Sequence, residues 1–515
     1  MRKWVIGAIL VGLVVLGGVG QEPQQGGILR IASIGEPPTL DLMVVTSDLA
    51  SSIGQHIFET LFTFDKNYAP IPLLVDTYER SEDGTEVVFH LRQGVLFHNG
   101  KELTSEDVVA SLERWKNYGV RAPIFFKNVT GLAAVDRYTF RIVFSEPFGP
   151  MESLLAFNNG GPCILPKEVA ETAGPEPISP DQYIGTGPYK FAEWVPGRYI
   201  RLVKFEDYQP VTAEPSGYGG RRTAYVDELR FIPVPEAGTR VAGIQADDYD
   251  YAMDIPADLY DAMVADPNIN TFLLTPPIFP LLFMNTKEGI MTNQKLRQAI
   301  LAALDMDPIL QAAYGPLSEA NGSIYPKGTA WYTEAGVEAY DQANVARAQE
   351  LAREAGYNGE PIRFMASTSY ITHYNMALVI TDQLKQAGFN IDLQIYDWAT
   401  LVARRADPGL WDMFLTHHGP VPDPSLLTPL SPTYPGWWDT PEKNALVDAF
   451  NRATDFGERY TIWEQIQALW YEYVPVIKLG DAFTLDISST QVKGLDDPHH
   501  PALLWPYFWN VWLGS

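Results

Sequence analysis

The chain carries a single cysteine, Cys163, so no disulfide can form within it, and a buried structural thiol is its plainest reading. Basic residues are scarce: 37 Lys and Arg stand against 63 Asp and Glu, a formal net charge of −26. That balance excludes the basic footprint that nucleic-acid phosphates demand and disfavours a stable contact with anionic lipid. Beyond the N-terminal segment no apolar run reaches the length of about 20 residues needed to cross a bilayer. Catalytic signatures are missing as well: there is no G-x-S-x-G elbow, no H-E-x-x-H pair and no P-loop. Residues 94–101 (GVLFHNGK) approach a P-loop, but one residue too many separates the glycines, and Glu102 follows the lysine where Ser or Thr is required. Residues 185–190 (GTGPYK) lack the third glycine of a dinucleotide fingerprint. Among the 8 histidines, His417-His418 and His499-His500 are adjacent pairs. Neighbours on a strand face opposite ways, and neither pair has a second cluster at zinc-site spacing, so neither a metal nor a cofactor is expected. With 63 acidic residues, a glycosidase-like secreted hydrolase stays open, although nothing singles out a general acid.

What is present starts with an export signal. Arg2 and Lys3 precede an apolar stretch over residues 4–16, and Gly18-Val19-Gly20 supplies small residues ahead of Gln21. This is the layout of a cleaved secretory signal peptide over residues 1–20, and the lack of a nearby cysteine excludes a lipid anchor. At 515 residues the chain exceeds what one core organises, so two or more domains are expected. Residues 26–33 alternate as a first strand, and short alternating segments follow at 87–91, 138–144 and 199–205, as in hairpin-rich sheet. A helix starts at Thr104, capped with Asp107, and presents Val108, Val109, Leu112 and Trp115 on one face. The second half alternates strands (361–367, 390–398, 411–416) with helices (344–355, 372–387), which predicts βαβ units with parallel pairing. A long amphipathic helix carries Ile462, Trp463, Ile466, Leu469, Trp470 and Tyr473.

In open α/β sheets ligands bind beyond the carboxyl ends of parallel strands. The first of these strands ends in Ser369-Tyr370, with His373 and Tyr374 just after it, the second in Asp397-Trp398 and the third in His417-His418-Gly419. Trp437 and Trp438 follow on a loop. Aromatic walls with a few polar anchors suit a small-ligand cleft; the alternative is that Tyr370 and Trp398 simply cover the sheet end. Arg404 and Arg405 are read as a solvated helix face in preference to a carboxylate clamp.

Residues 97–115 (FHNGKELTSEDVVASLERW) resemble the signature of the family 5 extracellular solute-binding proteins, the dipeptide, oligopeptide and nickel-binding group that serves ATP-driven importers. Similar segments follow in order: 26–41 (GGILRIASIGEPPTLD), 184–194 (IGTGPYKFAEW), Phe283-Met284-Asn285 with 295–305 (KLRQAILAALD), Asp423-Pro424, and 475–481 (PVIKLGD). The resemblance implies an α/β, two-lobed periplasmic-binding-protein fold of type II, with a hinge and an extra subdomain inserted in lobe one. Lobe one would take residues 26–60, 178–275 and 479–515, the inserted subdomain 61–177, and lobe two 276–478. It further implies a periplasmic, monomeric, non-catalytic carrier that hands a small polar solute, peptide or amino-acid-derived, to permease and ATPase subunits; a binding or chemosensory role without transport is the alternative beside the hydrolase. Expected ligand contacts are Tyr370, Trp398, His417, His418, Asp423, Trp437 and Trp438 from lobe two, Ser47 and Phe483 from lobe one, and Phe283 and Asn285 at the junction. Peptide-binding members hold the ligand's amine with an aspartate after the third site strand, and here Pro420 stands at that position. Either a nearby group such as Asp423 substitutes, or the ligand is not anchored by its amine in that way.

Overall fold

A computed structural model of the protein describes residues 22–495, 503 and 505–514; the leader expected over 1–20 and the His499-His500 pair lie outside the described residues. The first strand, Ile28–Ser33, runs parallel to Glu228–Pro233 on one side and to Tyr251–Ile255 on the other. The hairpin Tyr189–Val195 and Tyr199–Lys204 extends that sheet antiparallel. A separate antiparallel sheet holds Val75–Arg80, Glu86–Leu91, Thr139–Phe144 and Val129–Asp136. Helix Ser105–Tyr118 buries Val108, Leu112 and Trp115, and its capping box is formed: Thr104 N–H donates to Asp107 Oδ2 at 2.9 Å.

The second lobe is built as the alternation predicts. Ile362–Ser367 runs parallel to both Ile391–Tyr396 and Met413–His418, with helices Val345–Glu354 and Ile371–Gln386 interleaved. Two boundaries differ from the sequence expectation. Trp398 opens helix Trp398–Arg405 instead of closing a strand, because the Asp397 carboxylate accepts the Thr400 N–H at 3.0 Å and caps the helix. The third strand lies further along than 411–416, so its end carries both His417 and His418.

Two strands join the lobes. Ile269–Met284 pairs along its first part with Asp481–Ser489 and along its second part with Met413–His418. Its register shifts between Leu274 and Ile278, where Pro276 and Pro277 have no N–H to give to a ladder. The result is a crossing whose strand is continuous while its pairing changes partner. Each lobe has its own apolar core, and Trp505, Tyr507, Phe508 and Trp509 return to that of the first lobe.

The resemblance segments explain themselves in contacts. His98 Nδ1 accepts the Gly185 N–H at 3.3 Å, and its Nε2 lies 3.0 Å from the Gly187 carbonyl. A Cβ on Gly185 or Gly187 would collide with the carbonyls of Ile57 and His56, so only glycine allows the 184–194 segment to lie this close.

Candidate functional site

A cavity of about 340 Å³ opens between the lobes, within the size range of small-molecule sites. One wall comes from Thr46, Asp48, Arg121, Phe157, Asn159 and Trp505. The opposite wall is the crossing strand at Ile278 and Phe279, the strand end 417–421 and the turn 426–428.

The first wall is anchored by hydrogen bonds. Ser47 Oγ accepts the Ala50 N–H and caps helix Asp48–Gly54, which sets Asp48 beside the cavity. Asp48 Oδ1 accepts from Trp505 Nε1 at 3.0 Å and from Asn159 Nδ2 at 3.5 Å. The carboxylate is reached by solvent through the cavity mouth, yet the protein crowded around it raises its pKa. Arg121 donates from Nε to the Asn159 carbonyl at 2.7 Å and from Nη2 to Asn159 Oδ1 at 3.3 Å, and its guanidinium lies 4.8 Å from the Phe157 ring centre. Desolvation lowers the Arg121 pKa. Phe157 stacks on Trp505 at 5.4 Å.

Across the cavity, His418 Nδ1 lies 3.1 Å from the Thr428 hydroxyl, and burial pushes its pKa down to about 4, with His417 and Arg405 adding to the shift. His417 Nδ1 is 2.8 Å from His373 Nε2, and burial lowers both, His373 to about 3. Both cavity histidines are therefore neutral at pH 7. Tyr370 and Trp398 join this pair in one ring cluster, with centroids 5.3 Å apart and planes at 90°. Among the described residues no group of His, Cys, Asp and Glu is arranged to hold a metal ion.

The family model for bacterial extracellular solute-binding proteins, family 5 Middle, matches residues 69–437. The chain belongs to that family. Sequence similarity extends to a protein of Sinorhizobium fredii named as a probable peptide ABC transporter periplasmic-binding protein, 29% identical over 92% of this chain and 91% of that one. Among solved structures, the binding protein AgaA of A. tumefaciens R10 in complex with agropinic acid superposes with a TM-score of 0.73 at 26% identity, covering 95% of this chain and 99% of that one. The substrate-binding protein CtaP of Listeria monocytogenes reaches a TM-score of 0.80 at 21% identity over 96% and 100% of the two chains, which supports the two-lobed fold. No described helix is long and apolar enough to cross a membrane.

In this solute-binding protein the residues expected at the site separate into groups. His417 and His418 line the cavity, and Tyr370 and Trp398 adjoin it through His417. Ser47 stands between two lining residues but spends its hydroxyl on the helix cap. Phe483 lines a second cavity of about 370 Å³ beside the crossing, with Tyr68, Asn321 and Asp481.

The fold gives the other expected residues partners of their own. Phe283 is core, stacked on Phe414 at 4.9 Å. Asn285 is wholly buried and occupied: Nδ2 donates to the carbonyls of Pro408 and Trp411, and Oδ1 accepts from the N–H groups of Lys287 and Glu288. Asp423 is wholly buried and forms a two-pronged ion pair with Arg459, both contacts at 2.9 Å, so it cannot replace the missing amine anchor. Trp437 stacks on Trp411 and carries Lys287 on its ring, while Trp438 is buried against Trp470 and Tyr473. Arg405 is half-buried: its guanidinium lies 5.4–5.7 Å from the rings of Tyr434, Phe414 and Trp398, and Arg404 covers Tyr396. Sequence reasoning missed the entire first wall. Thr46, Asp48, Arg121, Phe157, Asn159 and Trp505 share no local pattern, and only their assembly makes them neighbours.

Proposed function

We propose that this chain is the periplasmic receptor of an ABC importer, taking up a small peptide-like or amino-acid-derived solute in the interlobe cavity and passing it to permease and ATPase subunits. Lobe boundaries at 275/276 and 478/479, export through residues 1–20, release without a lipid anchor and a monomeric state belong to the same proposal. One observation carries it: a cavity walled by both lobes, reached over two crossing strands, with ionic groups and aromatic rings facing its interior. The named cargoes of two relatives, a peptide and agropinic acid, support a small ligand that carries a carboxylate. Hinge closure would bury that ligand and exclude water.

Thermal-shift screening followed by calorimetry, with free amino acids, di- and tripeptides and amino-acid conjugates, tests this. A true ligand present at 100 times its Kd stabilises the protein by about 2.7 kcal/mol and is recovered chemically unchanged. Phe157→Ala and Thr428→Ala, one from each wall, are each expected to weaken the confirmed ligand about tenfold or more. Unchanged affinity in both variants places the site elsewhere.

A further inference from the structure

The two walls differ in one respect that bears on the cargo. The second lobe contributes no Asp, Glu, Lys or Arg to the cavity, and its two histidines are neutral. Among the described residues the first lobe contributes one carboxylate, Asp48, and one guanidinium, Arg121. These two attract one another but form no ion pair, with each other or with any other side chain among the described residues. The amide of Asn159 lies between them, with Oδ1 toward Arg121 and Nδ2 toward Asp48 Oδ1. Among the described residues Asp48 Oδ2 has no protein donor, and Arg121 Nη1 has no protein acceptor. Asp48 is exposed and Arg121 half-buried, so both charges are open to a ligand that supplies a counter-charge and a hydrogen bond to each.

Resting on the solute-capture reading above, we infer that the first lobe alone reads both ionic groups of the cargo, and that the cargo is a compact zwitterion whose ammonium meets Asp48 and whose carboxylate meets Arg121. One carboxamide, hydrogen-bonded at 3.3 Å to Arg121 and at 3.5 Å to Asp48, bridges the gap between the two protein charges. An ammonium and a carboxylate carried on one carbon or on neighbouring carbons span it. The termini of a tripeptide, at about 3.8 Å per residue between Cα atoms, do not. The amine anchor absent at Pro420 in the second lobe is thereby supplied across the cavity. The solute docks first on the charged lobe, and the neutral lobe closes over it with rings and hydroxyls, selecting the rest of its shape.

The test starts with the full-length mature protein incubated in yeast extract, washed, and analysed by native mass spectrometry, with retained compounds identified by fragmentation. Each identified compound is then titrated beside its N-acetyl and carboxamide derivatives into wild type, Asp48→Asn, Arg121→Gln and Thr428→Val. The retained compounds should carry a vicinal ammonium and carboxylate. Wild type should lose on the order of 30-fold in affinity on acetylation or amidation. Asp48→Asn should abolish the acetylation penalty while keeping the amidation penalty, and Arg121→Gln should do the reverse. Thr428→Val should weaken binding and keep both penalties, which separates charge reading from general damage to the cavity. A retained compound lacking either charge, or penalties unchanged in both first-lobe variants, overturns the inference while leaving solute capture standing. Wild type that retains nothing and binds no panel compound overturns solute capture itself.

Discussion

At the residue scale, Asp423 illustrates how a motif position can be read for the wrong task. An aspartate close after a strand of histidines looks available to a ligand, but its oxygens accept from Arg459, Ser153, Ser425 and the Ser425 N–H. Burial by itself would raise its pKa; Arg459 and the serine hydrogen bonds outweigh this, and the net shift is downward. Asp423→Ala would leave the buried Arg459 guanidinium without a counter-charge. We expect a loss of about 3–5 kcal/mol in urea unfolding, far beyond that of an exposed carboxylate. A loss under about 1 kcal/mol would show that Arg459 finds another partner or water. Sequence could assign the type of each such residue, but not which neighbour claims it first.

At the scale of elements, most of what the sequence predicts is present. Periodic helices and strands such as Ser105–Tyr118, Val345–Glu354, Ile371–Gln386 and Ile362–Ser367 arise where their apolar spacing and caps place them. The exceptions are local competitions: Asp397 prefers to cap a helix, so Trp398 leaves its strand. How elements of different lobes meet was not legible. The Gly149 N–H donates to the Asn451 carbonyl at 2.8 Å, and Ser153 on helix Met151–Ala156 donates to Asp423 at 3.1 Å. These bonds tie the 61–177 segment to the helix pair Pro441–Arg452 and Phe456–Tyr473. A Cβ on Gly149 would strike the Ala453 carbonyl, which is backbone and cannot swing aside. Gly149→Ala is therefore expected to favour the open form. Small-angle scattering should give a larger radius of gyration, and affinity for a confirmed ligand should fall about tenfold although Gly149 lies off the cavity. An unchanged radius and affinity would mean that this contact does not hold the lobes together.

For the whole molecule, acid should act through histidines buried far apart. His56 Nε2 accepts the Phe508 N–H at 2.9 Å, with its other nitrogen 3.2 Å from the Ile53 carbonyl, so protonation would break the bond to the returning C-terminal segment. Burial pulls His56 and His373 down to about 3, and His98 and His418 to about 4, from an ordinary value of 6.5. Between roughly pH 6.5 and pH 4 the unfolded chain binds these protons and the folded one does not, so stability falls as pH falls through that window. Asp486 opposes them: burial raises it to about 7, and its stabilising contribution is lost as pH rises toward that value. Asp48, Asp254 and Asp305 are raised as well, so these carboxyls offset part of the contribution of the four histidines, and the remainder sets the sign. Urea midpoints should drop steadily from about pH 6.5 to pH 4, at up to about 1.4 kcal/mol per pH unit for each uncompensated histidine. A flat or rising profile over this range would contradict the neutral, buried assignment.

The sequence by itself determined the class of this protein. Its single cysteine, acidic balance, lack of catalytic motifs, βαβ second half and ordered family segments depend on local spacing and composition, which a linear chain displays in full. Only the tertiary structure decided which residues wall the cavity. Asp48, Arg121, Asn159 and Trp505 become one charged wall because sheets and a returning C-terminal segment bring together positions that are hundreds of residues apart. The same folding gave Asp423, Asn285 and Trp438 to the interior. A side chain's type is written in the chain, but whether it is free to meet a ligand depends on which partners the fold sets around it.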